Sequence, residues 1–593
     1  MADTLVGIFL ESCDRFQKPD QFMRRRNGAW ESIPFARTMS DVESLSLVLA
    51  ELGVKTGSRV ALIAESRYEW PVADLAVLGL GGVTVPIYPT LIPSQIALIL
   101  SDAETQIAIV STAVQREKLR TLAPSLPRLE TIITMEAAPG QDPALTFEGL
   151  LERGRKLRAK HPTAYRDAAA KLRADDLATI IYTSGTTGNP KGAMLTHGNI
   201  VSDCRACLEV VPIGPTEVTL SFLPLNHIFE RMAGLYSIFM AGGTIAYAES
   251  IDSVAANAVE VRPTILNGVP RFYEKVHARV MENAGKLSPL QRRIFQWGLN
   301  RLMGRARAHF EGRADNSLLT ALADRLVAHK IRERVGGRLR YCISGGAALP
   351  PHVLDFFFAV GITVLEGYGL TETSPVITLN PPGHEKRGSV GLPIPGAEVR
   401  IGDQGEILTR GPNVFMGYLN NEEATREALR DGWFHTGDIG RLDADGYLYV
   451  TDRLKDLIVT AGGKKVAPQP LEVRLKQSPI ISEAVLLGDQ RPFIVALLIP
   501  EFPALEAAAR EHGWSFQDHA GLLASTEVRA LYQTEIDRLN NELSQYERVK
   551  RFTLIDAVFS PETGELTPSL KVRRKIVMEK YAPIIENMYE GHA

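Results

Sequence analysis

The sequence predicts an α/β protein with a large N-terminal domain of helix-flanked sheets and a smaller α+β C-terminal domain. Strand-like and helix-like segments alternate along most of the chain, which is typical of parallel sheets covered by helices. The 593 residues are also too many for a single hydrophobic core. After "YLYVTDRLKDLIV" the pattern changes to short strands and two helices, so we expect domains at 1–452 and 453–593.

The alternation is clearest near the N-terminus. "SRVALIAES" has the pattern of a buried strand, "YEWPVADLAVLGLGG" that of a helix closed by glycine, and "VTVPIYP" that of the next strand. "QIALILSDAE" and "QIAIVST" repeat the helix-then-strand order. The apolar stretch "VADLAVLGLGGVTVPIYP" is interrupted by Asp74 and by glycines, so it predicts a helix leading into a strand and not a membrane span.

Composition narrows the class of protein. With 45% hydrophobic residues, 23% charged residues and a net charge of -3, nothing points to a nucleic-acid partner. The N-terminus lacks the basic and apolar regions of a signal peptide, and four cysteines imply no disulfide framework. Cys204 and Cys207 form a CxxC without a second pair, which favours ordinary thiols on a helix. We therefore expect an intracellular, cytoplasmic protein.

Residues 286–340 are strongly basic, with 13 Lys/Arg against four acids and a local net charge of +9. Apolar residues recur there at helical spacing, as in Leu290, Ile294 and Trp297. A solvated helical face on a globular domain is the interpretation we favour. A basic amphipathic helix in peripheral contact with the inner face of an anionic membrane is the alternative.

The segment "YTSGTTGNPKG", Tyr182–Gly192, has the composition of a phosphate-binding loop. It follows the strand "LATII", and ligands bind at the C-terminal ends of strands in α/β sheets. A Walker A loop requires GxxxxGK[ST], and counting from Gly185 the sixth position is Pro190, so that match fails. Backbone N–H groups, hydroxyls and Lys191 can still surround a phosphate. A surface loop without a ligand is the alternative.

Four further segments carry polar groups suited to a nucleotide. "EGYGLTETSP" follows the strand "ITVLE" and offers Glu372, a hard oxygen ligand for Mg²⁺ held mainly by phosphates. "DGWFHTGDIG" offers Asp438, whose carboxylate can accept from ribose hydroxyls. "TDRLKDLIVTAGGKKVAP" supplies Arg453, and "GELTPSLKVRRK" supplies Lys571.

Together and in this order, these segments closely resemble the adenylate-forming superfamily of acyl-CoA synthetases, luciferases and peptide-synthetase adenylation domains. The resemblance covers roughly residues 25–581. Within it, "YEWPVADLAVLGLGGVTVPIYPTL", "LPLNHIFER" and "TDRLKDLIVTAGGKKVAPQPLE" look like long-chain fatty acid–CoA ligases. The resemblance implies ATP, Mg²⁺ and CoA as cofactor and co-substrates, a long-chain fatty acid as substrate, and a C-terminal domain that rotates between two half-reactions.

The resemblance also assigns roles to individual residues. The phosphates of ATP would be held by Thr183, Ser184, Gly185, Thr186, Thr187, Gly188 and Lys191. The adenine would lie against Gly345, Gly346 and Ala347, with Tyr368 stacked on it between Gly367 and Gly369. Thr371 would contact the α-phosphate, Glu372 and Ser184 the Mg²⁺, and Asp438 and Arg453 the ribose. His227 would lie beside the reacting carboxylate, Lys571 would bridge the acyl oxygen and the α-phosphate, and Gly462 and Gly463 would enter the site for the thioester step.

One departure and several alternatives stay open. Many relatives have glycine directly before the last lysine, whereas Leu570 precedes Lys571 here, and Arg573, Arg574 and Lys575 lie close by. Gly462 and Gly463 also fit a plain hairpin turn. An enzyme that stops at the adenylate or uses a carrier protein, and a catalytically silent nucleotide-binding or membrane-associated scaffold, are the other functions considered. Chain-length preference and oligomeric state are not predicted.

Overall fold

Helices and strands alternate through the computed structural model, which describes residues 2–137, 140–183, 190–313, 315, 317–560, 563–566 and 572–590. The strands are β1 (Phe22–Arg26), β2 (Ala29–Ile33), β3 (Arg59–Ile63), β4 (Val83–Pro86), β5 (Ile107–Val110), β6 (Thr131–Thr134), β7 (Leu177–Thr183), β8 (Lys191–Thr196), β9 (Val218–Ser221), β10 (Thr244–Tyr247), β11 (Ile265–Gly268), β12 (Tyr341–Ser344), β13 (Thr363–Gly369), β14 (Val376–Leu379), β15 (Leu392–Pro393), β16 (Glu398–Ile401), β17 (Glu406–Arg410), β18 (Gly417–Tyr418), β19 (Leu429–Arg430), β20 (Trp433–Leu442), β21 (Leu448–Arg453), β22 (Ile458–Val459), β23 (Lys465–Val466), β24 (Ile481–Leu487), β25 (Ile494–Pro500) and β26 (Val549–Leu554).

The α-helices are α1 (Leu5–Phe16), α2 (Phe35–Glu51), α3 (Glu69–Leu78), α4 (Pro93–Asp102), α5 (Ala113–Leu122), α6 (Phe147–Lys160), α7 (Ala164–Ala169), α8 (His197–Val210), α9 (Ser237–Ala241), α10 (Val254–Val261), α11 (Pro270–Gly285), α12 (Pro289–Phe310), α13 (Leu318–Ala323), α14 (His329–Glu333), α15 (Pro351–Ala359), α16 (Glu422–Ala428), α17 (Pro468–Leu475), α18 (Phe502–His512), α19 (His519–Ala524), α20 (Thr526–Asn540), α21 (Arg574–Lys580) and α22 (Ala582–Asn587). Residues Glu230–Tyr236 and Asp324–Ala328 are π-helical. The predicted α/β class is confirmed.

The chain divides into two compact units. The first comprises Met1–Arg400, Leu408–Thr436 and Leu442–Tyr449, and the second comprises Ile401–Ile407, Gly437–Arg441 and Val450–Ala593. The second unit thus includes two short segments that lie well before residue 450 in the sequence. Local sequence patterns do not single out such segments, and the domain limits 1–452 and 453–593 stay a prediction.

Two mixed sheets form the framework of the first unit. One has the strand order β18-β8-β7-β4-β3-β5-β6, and the other has the order β15-β14-β13-β12-β11-β9-β10-β1-β2. Their central strands pair in parallel, as the alternation predicts, whereas β8 and β18 in one and β14 and β15 in the other pair antiparallel. In a further sheet β16, β17, β20 and β19 follow one another, and β21 pairs with β20.

The cores of the first unit are apolar, and helix ends carry local caps. Phe22, Trp70 and Phe239 are among the large side chains with almost no exposed surface. α8 begins with a capping box in which the side chains of Thr196 and Asn199 each accept from the other's backbone N–H. Such caps fix where a helix begins, and so they fix where the preceding strand ends.

A buried ion pair crosses the core of the first unit. The Arg231 guanidinium lies 2.5 Å from Asp74 Oδ1, and both side chains have no exposed surface. Arg231 also donates to Thr179 on β7, and the Tyr236 hydroxyl donates to Asp74. A charge in an otherwise apolar helix needs such a partner, since an unpaired buried charge is very costly. The Asp74 that interrupts the apolar stretch therefore links α3, the "HIFER" segment and β7.

The second unit is built around a small sheet of order β24-β25-β26, with β22 and β23 as a separate hairpin. β24 and β25 are antiparallel, and β25 and β26 are parallel. Its described part contains α17–α22, which is more than the two helices the sequence predicts. α18 and α20, at 11 and 15 residues, are long enough to show a helical period, whereas the others have eight residues or fewer.

Two expectations about the whole chain can be checked within the described residues. None of the helices described there combines the length and the apolar character that a bilayer crossing needs. All four cysteines, which lie in described segments, are free thiols, and Cys204 and Cys207 lie on α8. Burial raises the pKa of the Cys204 and Cys207 thiols, in keeping with ordinary thiols on a helix.

Candidate active site

The proposed phosphate loop connects two antiparallel strands. β7 ends at Thr183 and β8 begins at Lys191, and these two residues are paired in the ladder. A Walker A loop instead leads into a helix, so the structure gives a second reason why that motif does not match. Ser184, Gly185, Thr186, Thr187 and Gly188 lie outside the described residues. Of the proposed phosphate ligands in this loop, the structure describes Thr183 and Lys191, which stand at its two ends.

Lys191 and Glu372 both contact Tyr418. The Lys191 ammonium lies 5.1 Å from the centre of the Tyr418 ring, and the Tyr418 hydroxyl donates to Glu372 Oε1 at 2.7 Å. Tyr418 reaches this place because β18 pairs with β8, which places Tyr418 opposite Ala193. Burial and the adjacent Glu372 raise the pKa of Tyr418, so its hydroxyl stays a donor at neutral pH.

Thr371 and Glu372 lie on a short 3-10 turn that is held in place by close backbone packing and by hydrogen bonds. A Cβ on Gly369 would lie 1.7 Å from the Pro375 carbonyl oxygen, so only glycine allows the chain to fold back this closely. Asn413 Nδ2 donates to the carbonyls of Thr373 and Val376 at 3.1 and 2.8 Å. The backbone N–H of Phe415 donates to the Glu372 carbonyl at 2.9 Å. The turn is therefore held on both sides, while the Glu372 carboxylate is directed by Tyr418.

The two proposed adenine-binding segments lie at the carboxyl ends of neighbouring parallel strands. β12 and β13 pair with Ser344 opposite Glu366. Gly345 directly follows β12, whereas the segment Gly367–Gly369 forms the end of β13 and pairs with β14. Gly346 has a φ of +87°, which favours glycine at this turn. Gly346 and Ala347 are exposed, and Gly367, Tyr368 and Gly369 are half-buried. The carboxyl ends of adjacent parallel strands share one sheet edge, so these residues can border one ligand.

His227 lies in a turn that follows β9 and is close to the same edge. Its Nδ1 accepts from the Phe229 backbone N–H at 3.1 Å, which orients the ring. The Phe229 ring lies 3.5 Å from where a Cβ on Gly345 would be. Asn226, directly before His227, donates to the carbonyls of Leu62 on β3 and of Ile87, just after β4. Phe229, which binds His227 through its backbone, therefore also contacts the Gly345 segment through its ring.

Glu230, one turn after His227, is a buried acid with an unusual protonation state. Burial raises its pKa to about 8, although hydrogen bonds from Ser221 and Asn267 lower it. Since its ordinary pKa is 4.5, the folded protein holds a proton there that the unfolded chain releases between these two values. The stability this group contributes is full below its ordinary pKa and is lost as the pH rises through about 8.

We expect Glu230→Gln to remove this pH dependence. The amide keeps the shape of the side chain and stays neutral. From pH 5 to 8, the free energy of unfolding of the wild-type protein should therefore fall by about 1.4 kcal/mol per pH unit relative to the variant. Thermal-unfolding midpoints of both proteins across this range measure the difference. The prediction is wrong if the two midpoints change in parallel.

The two proposed ribose ligands lie together in the second unit. Arg453 Nε donates to Asp438 Oδ1 at 2.8 Å, and Asp438 is almost fully buried whereas Arg453 is partly exposed. The Leu454 backbone N–H, just after the strand of Arg453, donates to the Gly437 carbonyl on the strand of Asp438 at 2.8 Å. Burial raises the pKa of the neighbouring Asp452 to about 7. The pair presents a carboxylate and a guanidinium at one point, which suits a diol.

The residues proposed for the thioester step lie on a hairpin, and the proposed catalytic lysine lies outside the described residues. Gly462 and Gly463 are exposed at the turn between β22 and β23, where the Gly463 N–H donates to the Thr460 carbonyl at 2.8 Å. This geometry fits a plain hairpin turn as well as a mobile catalytic loop. Lys571 lies outside the described residues. The nearby Arg574 binds Glu472 at 2.7 Å and the Leu486 carbonyl at 2.6 Å, so it has a structural partner.

Sequence reasoning missed three groups that position the site. Tyr418 and Asn413 lie in "GPNVFMGYLNN", which has no local pattern that indicates contact with a segment some 40 residues earlier. Asp203 accepts from the Val376 N–H at 3.0 Å, and no local pattern in the sequence indicates this contact either. Only Asp74 gave a signal, because a lone charge within a buried helix implies a partner.

Comparison with known proteins identifies the family. A family model described as "AMP-binding enzyme" matches residues 11–419, and one described as "AMP-binding enzyme C-terminal domain" matches residues 455–593. The chain belongs to the AMP-binding enzyme family. This confirms the adenylate-forming family that the sequence motifs predict.

Similar curated proteins of this AMP-binding family carry one recurrent name. The chain is 37% identical over 578 residues to "Long-chain-fatty-acid--CoA ligase FadD15" of Mycobacterium bovis, covering 96% of this chain and 95% of that protein. It is 32% identical to "Long-chain-fatty-acid--CoA ligase ACSBG1" of Mus musculus, covering 99% and 86%. These alignments span both matched regions of the chain.

Solved structures show the same fold. An anthranilate CoA ligase, AuaEII, in complex with anthranoyl-AMP aligns with a TM-score of 0.74 at 20% identity, covering 98% of each chain. ATP-bound MatB from Rhodopseudomonas palustris aligns with a TM-score of 0.70 at 24% identity, covering 98% of this chain and all of the other. The predicted adenylate-forming fold is confirmed.

Proposed function

We propose that this AMP-binding enzyme is a long-chain fatty acid–CoA ligase that converts a fatty acid, ATP and CoA into acyl-CoA, AMP and pyrophosphate. The observation that supports it most is the full-length similarity to proteins named long-chain-fatty-acid--CoA ligase. The cluster of Lys191, Tyr418 and Glu372 at the end of the proposed phosphate loop is in accord with it.

In the first half-reaction, the fatty acid carboxylate attacks the α-phosphorus of ATP. A P–O bond to the acyl oxygen forms, the bond to the β-phosphate oxygen breaks, and pyrophosphate leaves. Negative charge develops on the phosphoryl oxygens, and positioned cations and N–H groups stabilise it. We assign this task to Lys191, Thr371, Lys571 and the loop Thr183–Gly188, with His227 beside the carboxylate.

In the second half-reaction, the CoA thiol attacks the acyl carbon of the adenylate. A thioester C–S bond forms, the C–O bond to AMP breaks, and the thiol proton is lost to water or to a nearby base. AMP is a far better leaving group than the oxide of the free carboxylate. We assign the approach of pantetheine to the hairpin that carries Gly462 and Gly463, and the ribose contacts to Asp438 and Arg453.

The side chains present also suit Mg²⁺. In the described part of the chain, no group of three or more histidine, cysteine or acidic residues could hold a metal ion unaided. An Mg²⁺ carried in mainly on phosphate oxygens needs only one or two carboxylates, and Glu372 is a buried carboxylate already oriented by one hydrogen bond. Bound there, Mg²⁺ would neutralise phosphate charge, with Ser184 as a second proposed ligand.

Tyr418→Phe tests the orientation of Glu372. Phenylalanine keeps the ring beside Lys191 but removes the hydroxyl that fixes the carboxylate, and loss of such an outer hydrogen bond typically weakens metal binding about 10–100-fold. We therefore expect the Mg²⁺ concentration for half-maximal ATP–pyrophosphate exchange to rise about tenfold. Tyr546→Phe, at a 44% exposed tyrosine, is the control. An unchanged Mg²⁺ titration in the Tyr418 variant contradicts the role.

The substrate is tested directly by measuring AMP and acyl-CoA from ATP, CoA and fatty acids of four to twenty carbons. A maximum among long-chain acids, with AMP and acyl-CoA in equal amounts, supports the proposal. Adenylate without thioester points to a carrier protein as the thiol acceptor. No AMP with any acid excludes the ligase and leaves a silent nucleotide-binding or scaffold protein.

A further inference from the structure

The basic region 286–340 forms a helical hairpin whose outer side is unusually apolar. α12 runs from Pro289 to Phe310, and α13, the π-helical segment Asp324–Ala328 and α14 follow one another to Glu333. Several large apolar side chains are more than a third exposed: Leu290 70%, Ile294 39%, Trp297 41%, Leu318 88%, Leu319 56%, Leu322 46% and Leu326 38%. Single exposed apolar residues are ordinary, but a group of this kind marks an interaction surface.

These residues lie on one side of the hairpin. α12 packs against the returning helix at Gly298, where a Cβ would lie 2.5 Å from Val327 Cγ2 and 3.8 Å from Ala323 Cβ. Trp297, Leu326 and Leu322 each directly precede one of these three contact residues. Because the two helices run antiparallel, the residue before a contact position points to the same side of the hairpin on both helices.

Each stripe then continues at helical spacing. Leu290, Ile294 and Trp297 are four and three residues apart on α12, and Leu318, Leu322 and Leu326 are four apart on the second arm. The two exposed stripes therefore form a continuous apolar strip along both arms. We call this strip, with the basic residues of the same hairpin, the α12–α14 surface.

The charge on the hairpin is not neutralised internally. All four acids of 286–340 are engaged: Glu311 with Arg313, Asp315 with Arg301, Asp324 with Arg305 and Arg332, and Glu333 with His329. Seven exposed basic residues have no ion-pair partner among the residues that the structure describes: Arg292, Arg293, Arg307, Arg325, Lys330, Arg334 and Arg338.

We infer that the α12–α14 surface docks on an anionic phospholipid bilayer. An apolar strip on a helix pair, with six arginines and one lysine that form no ion pair with described residues, matches the boundary between acyl chains and anionic headgroups. The same charge disfavours a second copy of this chain as the occupant, because a symmetric contact would place the two basic surfaces against each other. The sequence pattern favours a merely solvated helical face, whereas the exposed apolar strip of the hairpin favours docking on a bilayer.

This inference goes beyond the proposed ligase activity and does not need it to hold. A long-chain fatty acid partitions into membranes, so docking would bring such an enzyme to its substrate. The test below uses lipid alone, without fatty acid, ATP or CoA. Failure of the docking and failure of the ligase assignment are therefore separate results.

The test is co-sedimentation of the full-length protein with phosphatidylcholine vesicles that do or do not contain phosphatidylglycerol. We expect binding only to the anionic vesicles, and less binding at high salt. Arg292→Gln with Arg293→Gln and Lys330→Gln should lower the apparent affinity at least about tenfold. Leu290→Ser with Leu322→Ser should lower it as well, although every basic residue of the hairpin remains.

Two controls separate docking from general stickiness. Val114→Ser with Val558→Ser removes apolar side chains that are 66% and 83% exposed elsewhere, and it should leave binding unchanged. Brominated lipids should quench Trp297 emission, and Trp297→Phe should lose that quenching while still co-sedimenting. Thermal midpoints of all variants should stay near that of the wild type, since these side chains are exposed.

Three results would overturn the inference. The first is no salt-sensitive binding to anionic vesicles. The second is equal binding by the wild type and both hairpin variants. The third is a dimer in the absence of lipid that the Leu290 and Leu322 substitutions dissociate, which would make a second copy the occupant of the α12–α14 surface.

Discussion

Replacing Lys571 with alanine should abolish most of the first half-reaction and little of the second. The ammonium is assigned to the acyl oxygen and the α-phosphate, where charge develops as the adenylate forms. Loss of one such preorganised group typically costs about 10²–10³ in rate. ATP–pyrophosphate exchange should fall by that factor, whereas thioester formation from a synthetic acyl-adenylate and CoA should stay within a few-fold of the wild-type rate.

The neighbouring Lys575 provides a matched control. It is exposed on α21, in the described part of the same C-terminal segment, and it carries the same charge four residues later. Lys575→Ala should leave both half-reactions nearly unchanged. If Lys571→Ala forms adenylate normally but fails in thioester formation, the lysine belongs to the second step and our assignment is wrong.

Arg574, a basic neighbour of Lys571, is held within the second unit. Arg574 binds Glu472 and the Leu486 carbonyl, and these contacts surround its guanidinium, which is largely buried. The backbone N–H of Arg573 donates to the Glu565 carbonyl at 2.7 Å, just after the bridge between Leu566 and Val572. Leu566, Val572 and Arg573 are therefore held by backbone contacts, and Arg574 stabilises the fold of the second unit.

Local sequence patterns predicted most of the framework. Alternating strands and helices are set by short-range periodicity, so "SRVALIAES" and the helix after it appear as β3 and α3. The same periodicity predicts the end of the strand that leads into the proposed phosphate loop, which the structure places at Thr183. The antiparallel edges β8, β14 and β18 did not follow, because pairing direction depends on residues far apart in the chain.

The same limit applies to the candidate site. Glu372 could be proposed from its own segment and the family pattern, but its orienting partner Tyr418 lies 46 positions away. Short helices of the second unit were missed because six to eight residues hold too few turns to show a period. The sequence could not decide whether the apolar stripe of the basic hairpin is buried or exposed, because periodicity alone does not tell whether a stripe faces the core or the solvent.

Asp74→Ala should be the most destabilising single change in the first unit. It leaves the Arg231 guanidinium buried without its carboxylate and takes away the acceptor of the Tyr236 hydroxyl. Breaking a buried pair by removing one partner typically costs about 3–5 kcal/mol. The thermal midpoint should fall strongly, and activity should fall with it, since Arg231 also donates to Thr179 on β7, the strand that ends at Thr183.

A surface ion pair of the same type is the natural comparison. Asp14 and Arg166 lie 2.8 Å apart with side chains 62% and 43% exposed, so Asp14→Ala should cost about 1 kcal/mol or less. Asp74→Asn should fall between the two, because the amide keeps the volume and one acceptor but not the charge. Arg231→Met combined with Asp74→Ala should recover part of the loss, since no uncompensated charge remains in the core. If Asp74→Ala costs no more than Asp14→Ala, burial does not make this pair decisive for the fold.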